Sequence, residues 1–227
     1  MENITDIFFD LDHTLWDFDK NSAIAFEKIF EKHQLTINLT AFVEVYLPIN
    51  QSLWKLLQVD KISHEELRYN RLRMSFDHLN FMISDEEIYK ISKDYIDYLP
   101  ENNHLFEGAN EILDYLYPKY NLHIITNGVA EVQEKKMINS NLRHYFKTVT
   151  NSEMAGVKKP HKNIFEFAVS LAKAEKNKSV MIGDCIEADF QGAINAGLNA
   201  ILFDEKHIYG SNDIFTINHL LELKNIL

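Results

Sequence analysis

The sequence predicts an α/β protein with a doubly wound parallel sheet, interrupted near its start by a bundle of helices. Three observations predict it. The apolar, aromatic run Ile7-Phe8-Phe9 has the composition of a strand buried on both faces, and it stops abruptly at Asp10. From Asp19 to about Leu99 only helical periodicity occurs. After Pro100 helical and strand patterns alternate, which is the rhythm of parallel strands joined by right-handed crossovers. The core is therefore expected from residues 1–15 and 100–227, with residues 16–99 forming the helical insertion.

Four helices are expected in the insertion. Asp19 to His33 carries Ala23, Phe26, Ile29 and Phe30 at helical spacing, with Asn21 or Asp19 as its cap. Thr40 opens a second helix past Val43 and Leu47, and Pro48 marks a kink or break before Leu53, Trp54 and Leu57. Ser63-His64-Glu65-Glu66 is a capping box for a third helix through Leu79, and Ser84 starts a fourth with Ile88, Ile91, Tyr95 and Leu99 on one face. Beyond Pro100, helices are expected over 108–117, 131–141, 163–174 and 186–196. Strands are expected over 122–126, 146–150, 180–182 and 200–203.

With 23 lysines and arginines against 34 aspartates and glutamates, the 227-residue chain has a formal charge of −11. That balance argues against nonspecific binding to a nucleic acid polymer as the main role, since such binding depends on basic groups neutralising phosphates. An anionic small substrate then needs a metal or local positive charge at its site. The single cysteine, Cys185, cannot form an internal disulfide and suits a reducing compartment. The start of the chain lacks the basic residues of a signal, and no apolar stretch approaches the roughly 20 residues needed to span a bilayer. A cytoplasmic protein without membrane contact is expected, as a monomer or homodimer.

Candidate chemistry gathers at strand ends. Asp10 ends the first strand, and Asp12 lies two residues on, so both carboxylates are expected to face the crevice beyond the sheet. Like charges so placed raise each other's pKa unless a cation sits between them, which asks for a metal or a shared proton. Thr14 supplies a hydroxyl to hold or cap that turn. Thr126-Asn127-Gly128 ends a second strand with hydroxyl, amide and backbone donors suited to an oxyanion. Lys158-Lys159-Pro160 precedes a helix, and Gly183-Asp184 ends another strand, with Asp189 five residues beyond Asp184. Singly, each is also explained as ordinary turn, cap or loop polarity. Repetition of acid, hydroxyl, lysine and acid along one sheet edge is harder to explain that way.

This set resembles the four motifs of the haloacid dehalogenase superfamily in its phosphatase branch. D-x-D-x-T stands as Asp10, Asp12 and Thr14, the strand-end threonine as Thr126, K-P as Lys159-Pro160, and G-D-x-x-x-x-D as Gly183, Asp184 and Asp189. The resemblance implies a Rossmann-like core with a helical cap. It further implies Asp10 as a nucleophile that becomes an aspartyl phosphate, and Asp12 as general acid and base. Mg²⁺ is implied on Asp10, the backbone carbonyl of Asp12 and Asp184, with Asp189 in support. Thr126, Asn127 and Lys159 are implied as substrate-binding groups. His13 departs from the pattern, since many relatives have glycine there. The run Phe9 to Asp19 looks most like enzymes that dephosphorylate pyrimidine nucleoside monophosphates, so a small phosphorylated metabolite is the expected partner. A phosphosugar phosphatase or mutase would use the same residues, whereas a receiver-type signalling domain would have adjacent acids and no long insertion.

Specificity is expected in the cap. Arg68 and Arg71 share a face at i, i+3, and with Arg73 they either bind an anionic group or frame a base, or, as the commoner case, form a solvated charged face. Trp16 and Phe18 suit either base stacking or packing, and Trp54 suits packing. Neither a G-x-S-x-G elbow nor a G-x-x-x-x-G-K-[ST] loop occurs, and the ten histidines show no zinc-type spacing.

Overall fold

In the computed structural model, which describes residues 3–209 and 214–227, six strands form one parallel sheet in the order β3-β2-β1-β4-β5-β6. They are β1 Asp6–Phe9, β2 Asn121–Thr126, β3 Phe146–Asn151, β4 Ser179–Gly183, β5 Asn199–Phe203 and β6 Thr216–Ile217. Strand β1 is buried throughout, as its unbroken apolar run requires, and it pairs with β2 on one side and β4 on the other. The chain winds from β1 outward to β3 and then returns to β4. The boundary between β1 and β4 is thus the topological switch point, where open α/β sheets form their ligand crevice. Asp10 and Asp184 follow these two strands, and the Asp10 amide still donates to Ile182 at 2.9 Å.

The chain divides into two compact units, Met1–Phe18 with Asn103–Leu227, and Asp19–Asn102. In the sheet unit, Phe8, Ile125 and Met181 pack against Ile164, Phe165 and Ala168 of α8 (Lys162–Ala172) and Ala193 and Ala196 of α9 (Gly192–Ala196). This unit also contains α5 (Ala109–Leu116), α6 (Ala130–Asn139) and the short α7 (Ser152–Ala155). His123 is a buried core residue, held between Thr148 and Asp6 and stacked on Phe8, and burial pushes its imidazole pKa down.

The other unit consists of α1 (Phe18–Lys32), α2 (Leu39–Gln58), α3 (His64–His78) and α4 (Asp85–Tyr98). Ser63 and Glu66 form the expected capping box, and Ser84 caps α4. Phe26, Phe30, Phe42, Tyr46, Phe76 and Tyr95 make a continuous aromatic interior. Trp54 packs beside Leu53, Leu57 and Leu67, as expected.

Four local expectations need correction. Asp19 and Asn21 lie inside α1, which begins at Phe18, so neither caps it. Asn38, not Thr40, caps α2, because its side chain accepts from the Ala41 amide at 2.9 Å. Pro48 does not break the helix. It lies on the exposed side, so the carbonyl it leaves unpaired is near solvent while Phe42, Tyr46, Asn50, Leu53 and Leu57 keep the opposite face buried. The helix expected over 186–196 begins instead as a π-helical turn, Ile186–Gln191, before α9. Strand β6 was not expected, since two residues are too few for a periodicity. Among the described residues, no helix is long and apolar enough to cross a membrane.

Candidate active site

The loop after β1 sets the first two acids. His13 takes φ 61°, the left-handed conformation, which explains why glycine is common there in similar motifs. Histidine is among the side chains that tolerate it. The turn is closed by Leu15 and Trp16 amides donating to Leu11, and by the His13 amide donating to Trp16. The Thr14 hydroxyl is buried with no hydrogen-bond partner among the described residues, so it does not hold the turn. Trp16 and Phe18 are both buried rather than offering an open face for stacking.

Asp10 lies at the centre of an ionic cluster. Lys159, only 2 % exposed, places Nζ 2.8 Å from Asp10 Oδ1 and 2.6 Å from Asp189 Oδ1, and donates to the Ile125 carbonyl at 2.8 Å. Burial raises the Asp10 carboxyl to about 7. Lys159 opposes the rise, while Asp189 and Asp12 add to it. Asp184 is raised well above the ordinary carboxylate range by burial, then by Asp189 and Asp10. Burial alone would depress the Lys159 ammonium, but Asp10 and Asp189 outweigh it and hold the pKa above the ordinary lysine value.

The π-helical turn aims Asp189 back at this cluster. Its Oδ2 accepts the Cys185 amide at 3.1 Å, and Gly183 is required beneath it because a Cβ there would collide with the Asp189 carboxylate. Cys185 caps the same turn by accepting from the Ala188 amide, and burial pushes its thiol up to about 12, which leaves it unreactive. Asp10, Asp184 and Asp189 each present an oxygen, all within 4.8 Å of one another. An all-oxygen donor set with two carboxyls held above their ordinary pKa fits a hard divalent cation such as Mg²⁺. Asp189 is the most committed of the three, to Lys159 and to the Cys185 amide.

Asp12 has different partners. Lys136 donates to its Oδ1 at 2.6 Å and Gln133 to its Oδ2 at 2.9 Å, so both carboxylate oxygens are engaged from α6. The Lys136 ammonium also sits over the rings of Trp16 at 4.2 Å and Phe18 at 5.5 Å. Gln133 donates a second bond, at 2.8 Å, to the Thr126 hydroxyl, which also accepts the Gly128 amide. The residue at 128 must be small, since a Cβ would strike the Gln133 side chain. Asn127 uses its side chain on the Lys159 backbone, donating to its carbonyl at 3.0 Å and accepting from its amide at 2.7 Å.

The structure therefore brings Asp10, Lys159, Asp184 and Asp189 into one cluster, links Asp12 to Thr126 through Gln133, and ties Asn127 to Lys159. Gln133 and Lys136 were not anticipated. Both are buried and lie one turn apart on α6, the helix that leaves the second polar strand end, and no local sequence signal marks them.

A doubly wound sheet with acids, a lysine and a hydroxyl converging at its switch point defines an α/β enzyme whose chemistry lies on the strand ends. The haloacid dehalogenase-like hydrolase family matches residues 7–203, and the chain belongs to that family. It is 32 % identical to the pyrimidine 5'-nucleotidase PynA of Streptococcus pneumoniae, over 97 % of this chain and 96 % of the relative. It is 31 % identical to the pyrimidine 5'-nucleotidase YjjG of Escherichia coli, again over 97 % and 96 %. The HAD-hydrolase YfnB of Bacillus subtilis, solved bound to magnesium, matches with a TM-score of 0.89 at 26 % identity, covering 100 % of this chain and 99 % of that one.

Proposed function

We propose that the protein is a Mg²⁺-dependent phosphomonoesterase acting on nucleoside monophosphates, with pyrimidine nucleotides preferred, through an aspartyl phosphate on Asp10. The observation that carries this reading is the separation of the two acids of the β1 loop. Asp10 belongs to the Lys159–Asp184–Asp189 cluster, while Asp12 is held by Gln133 and Lys136. Two carboxylates in different environments suit two roles.

An Asp10 oxygen attacks phosphorus as the bond to the leaving oxygen breaks, and Asp12 gives that oxygen its proton. Asp12 then takes a proton from water as the water attacks the same phosphorus, which frees Asp10 and releases phosphate. Lys159 and the Thr126 loop offset and orient the phosphoryl oxygens. Asn127 keeps Lys159 in place, and Gln133 and Lys136 fix the Asp12 carboxylate. Asp10, Asp184 and the Asp12 carbonyl would hold Mg²⁺, with Asp189 in support, and the ion would supply charge stabilisation at the phosphoryl group. The helical unit acts as the cap that selects the substrate. The likeness to two pyrimidine 5'-nucleotidases supports the substrate class.

The test is phosphate release from a panel of nucleoside monophosphates and sugar phosphates, with Mg²⁺ or with chelator. The expected result is release that requires Mg²⁺ and is fastest on CMP, UMP or dTMP. Equal release with chelator would overturn the metal dependence, and a sugar phosphate preferred over every nucleotide would overturn the substrate class.

A further inference from the structure

Gln133, 1 % exposed, stands near the start of α6, where its backbone amide donates to the Val129 carbonyl at 3.0 Å. Its side chain serves two groups at once. Nε2 lies 2.9 Å from Asp12 Oδ2 and 2.8 Å from the Thr126 hydroxyl oxygen. A carboxylate only accepts, so the nitrogen of the amide, and not its oxygen, must face Asp12. That orientation commits both amide hydrogens, one to each partner. Loop backbone closes over the same nitrogen, since a Cβ at Gly128 would stand 2.7 Å from it.

The consequence falls on Thr126. A hydroxyl oxygen accepts two hydrogen bonds and donates one. At Thr126, 2 % exposed, both acceptor positions are filled, by the Gln133 side chain and by the Gly128 amide at 3.0 Å. The hydroxyl hydrogen is therefore turned away from both donors, and no acceptor among the described residues takes it. A buried donor without an acceptor is unfavourable, and it is explained when a ligand supplies one. Had either neighbour been an acceptor, the hydroxyl could have spent its hydrogen inside the protein. Here it can act on a ligand only as a donor.

We propose that Gln133 is a positioning residue for both halves of the reaction: through one amide it fixes the Thr126 hydroxyl as a donor to an ionised phosphoryl oxygen and holds Asp12 for proton transfer. The identity of the ligand rests on the phosphomonoesterase reading above. Lys136 holds the other Asp12 oxygen from the same helix at 2.6 Å. Gln133 differs in that its loss reaches the anion as well as the acid. Its variants should therefore disturb two separable measurements, phosphate affinity and sensitivity to the leaving group.

The test uses the full chain with Mg²⁺ and titrates inorganic phosphate by calorimetry. Gln133→Met, which keeps the length of the side chain and removes both donors, should weaken phosphate binding by about 2- to 10-fold. The same variant should lose about 10-fold more kcat/KM on a nucleoside monophosphate than on p-nitrophenyl phosphate, whose leaving group needs no proton. Gln133→Glu separates hydrogen bonding from packing. Glutamate has nearly the shape of glutamine but offers at most one hydrogen, so it cannot serve both partners and should bind phosphate no better than Gln133→Met. In a Thr126→Val background, Gln133→Met should change phosphate affinity less than about 2-fold, because its route to the anion is already gone. Native phosphate affinity and native leaving-group dependence in Gln133→Glu would make Gln133 a packing residue and overturn the proposal, whether or not Gln133→Met folds. An equal loss of phosphate affinity with and without the Thr126 hydroxyl would overturn the route through Thr126. Ester hydrolysis that is indifferent to Gln133 overturns this proposal alone. Thr126-dependent weakening of phosphate binding, in a chain whose native form hydrolyses no ester, overturns the hydrolase reading alone.

Discussion

Replacing Lys136 by methionine isolates the second acid. The side chain of Lys136 is 3 % exposed and that of Asp12 is 23 % exposed, so the 2.6 Å contact between them is poorly screened. A hydrogen bond between charged groups contributes about 1.5–3 kcal/mol. At ~1.4 kcal/mol per factor of ten, its loss is worth roughly 10- to 150-fold. Gln133 still holds the other Asp12 oxygen, which keeps the loss below that of removing the acid. If Asp12 protonates the leaving oxygen, the loss must depend on how much that oxygen needs a proton. The assay is kcat/KM on a nucleoside monophosphate, whose sugar oxygen leaves poorly, against p-nitrophenyl phosphate, whose phenolate leaves well. The full loss is expected on the nucleotide and at most a few-fold loss on the aryl ester. Equal losses on both, or none on either, would refute the assignment of Lys136 as a positioning residue for an acid. A melting curve would show whether the variant remains folded.

Other outcomes follow from the same geometry. If Asp10 is the nucleophile proposed above, Asp10→Asn should lower kcat at least about 10⁴-fold without lowering the melting temperature. Gly183→Ala places a methyl against the Asp189 carboxylate and should destabilise the fold by about 1–3 kcal/mol, a drop of several degrees by calorimetry. The acid cluster also sets a pH dependence. Asp10 and Asp184 have raised pKa values in the metal-free fold, so that fold keeps protons the unfolded chain releases. Metal-free stability contributed by these groups is therefore fullest below about pH 4 and declines as pH rises through about 7. On the proposed reading Mg²⁺ displaces those protons, so its stabilising effect should grow between pH 5.5 and 8 in thermal-shift measurements, and a shift that shrank with rising pH would contradict the cluster as its binding site.

Much of this arrangement is legible in the sequence, for physical reasons that differ by residue. The run Ile7-Phe8-Phe9 must be buried on both faces, so the carboxylate that ends it had to stand at a strand terminus. The capping box at Ser63 is local chemistry within four residues and formed as read. Groups defined by distant contacts were not legible. Gln133 and Lys136 reach Asp12 from more than a hundred residues away, and nothing near them in sequence marks the contact. Trp16 and Phe18 stood equally for stacking or packing until their burial beside Lys136 settled the matter. Asn127 read as a donor to substrate, but its amide holds the Lys159 backbone, a partner that only the folded loops bring to it. Arg71 shows the same limit: it is buried and not on the expected solvated face, since spacing on α3 cannot reveal that the bundle interior lies on its side.

The central claim is a covalent intermediate on Asp10, and rapid acid quench of the enzyme during turnover of CMP, followed by peptide mass analysis, tests it most directly. The account expects a phosphorylated peptide containing Asp10 in the native chain. The label should accumulate when Asp12→Asn slows its hydrolysis and should be absent in Asp10→Asn. Phosphate release with no phosphorylated peptide at any quench time, or a phosphoryl group on a different residue, would contradict it.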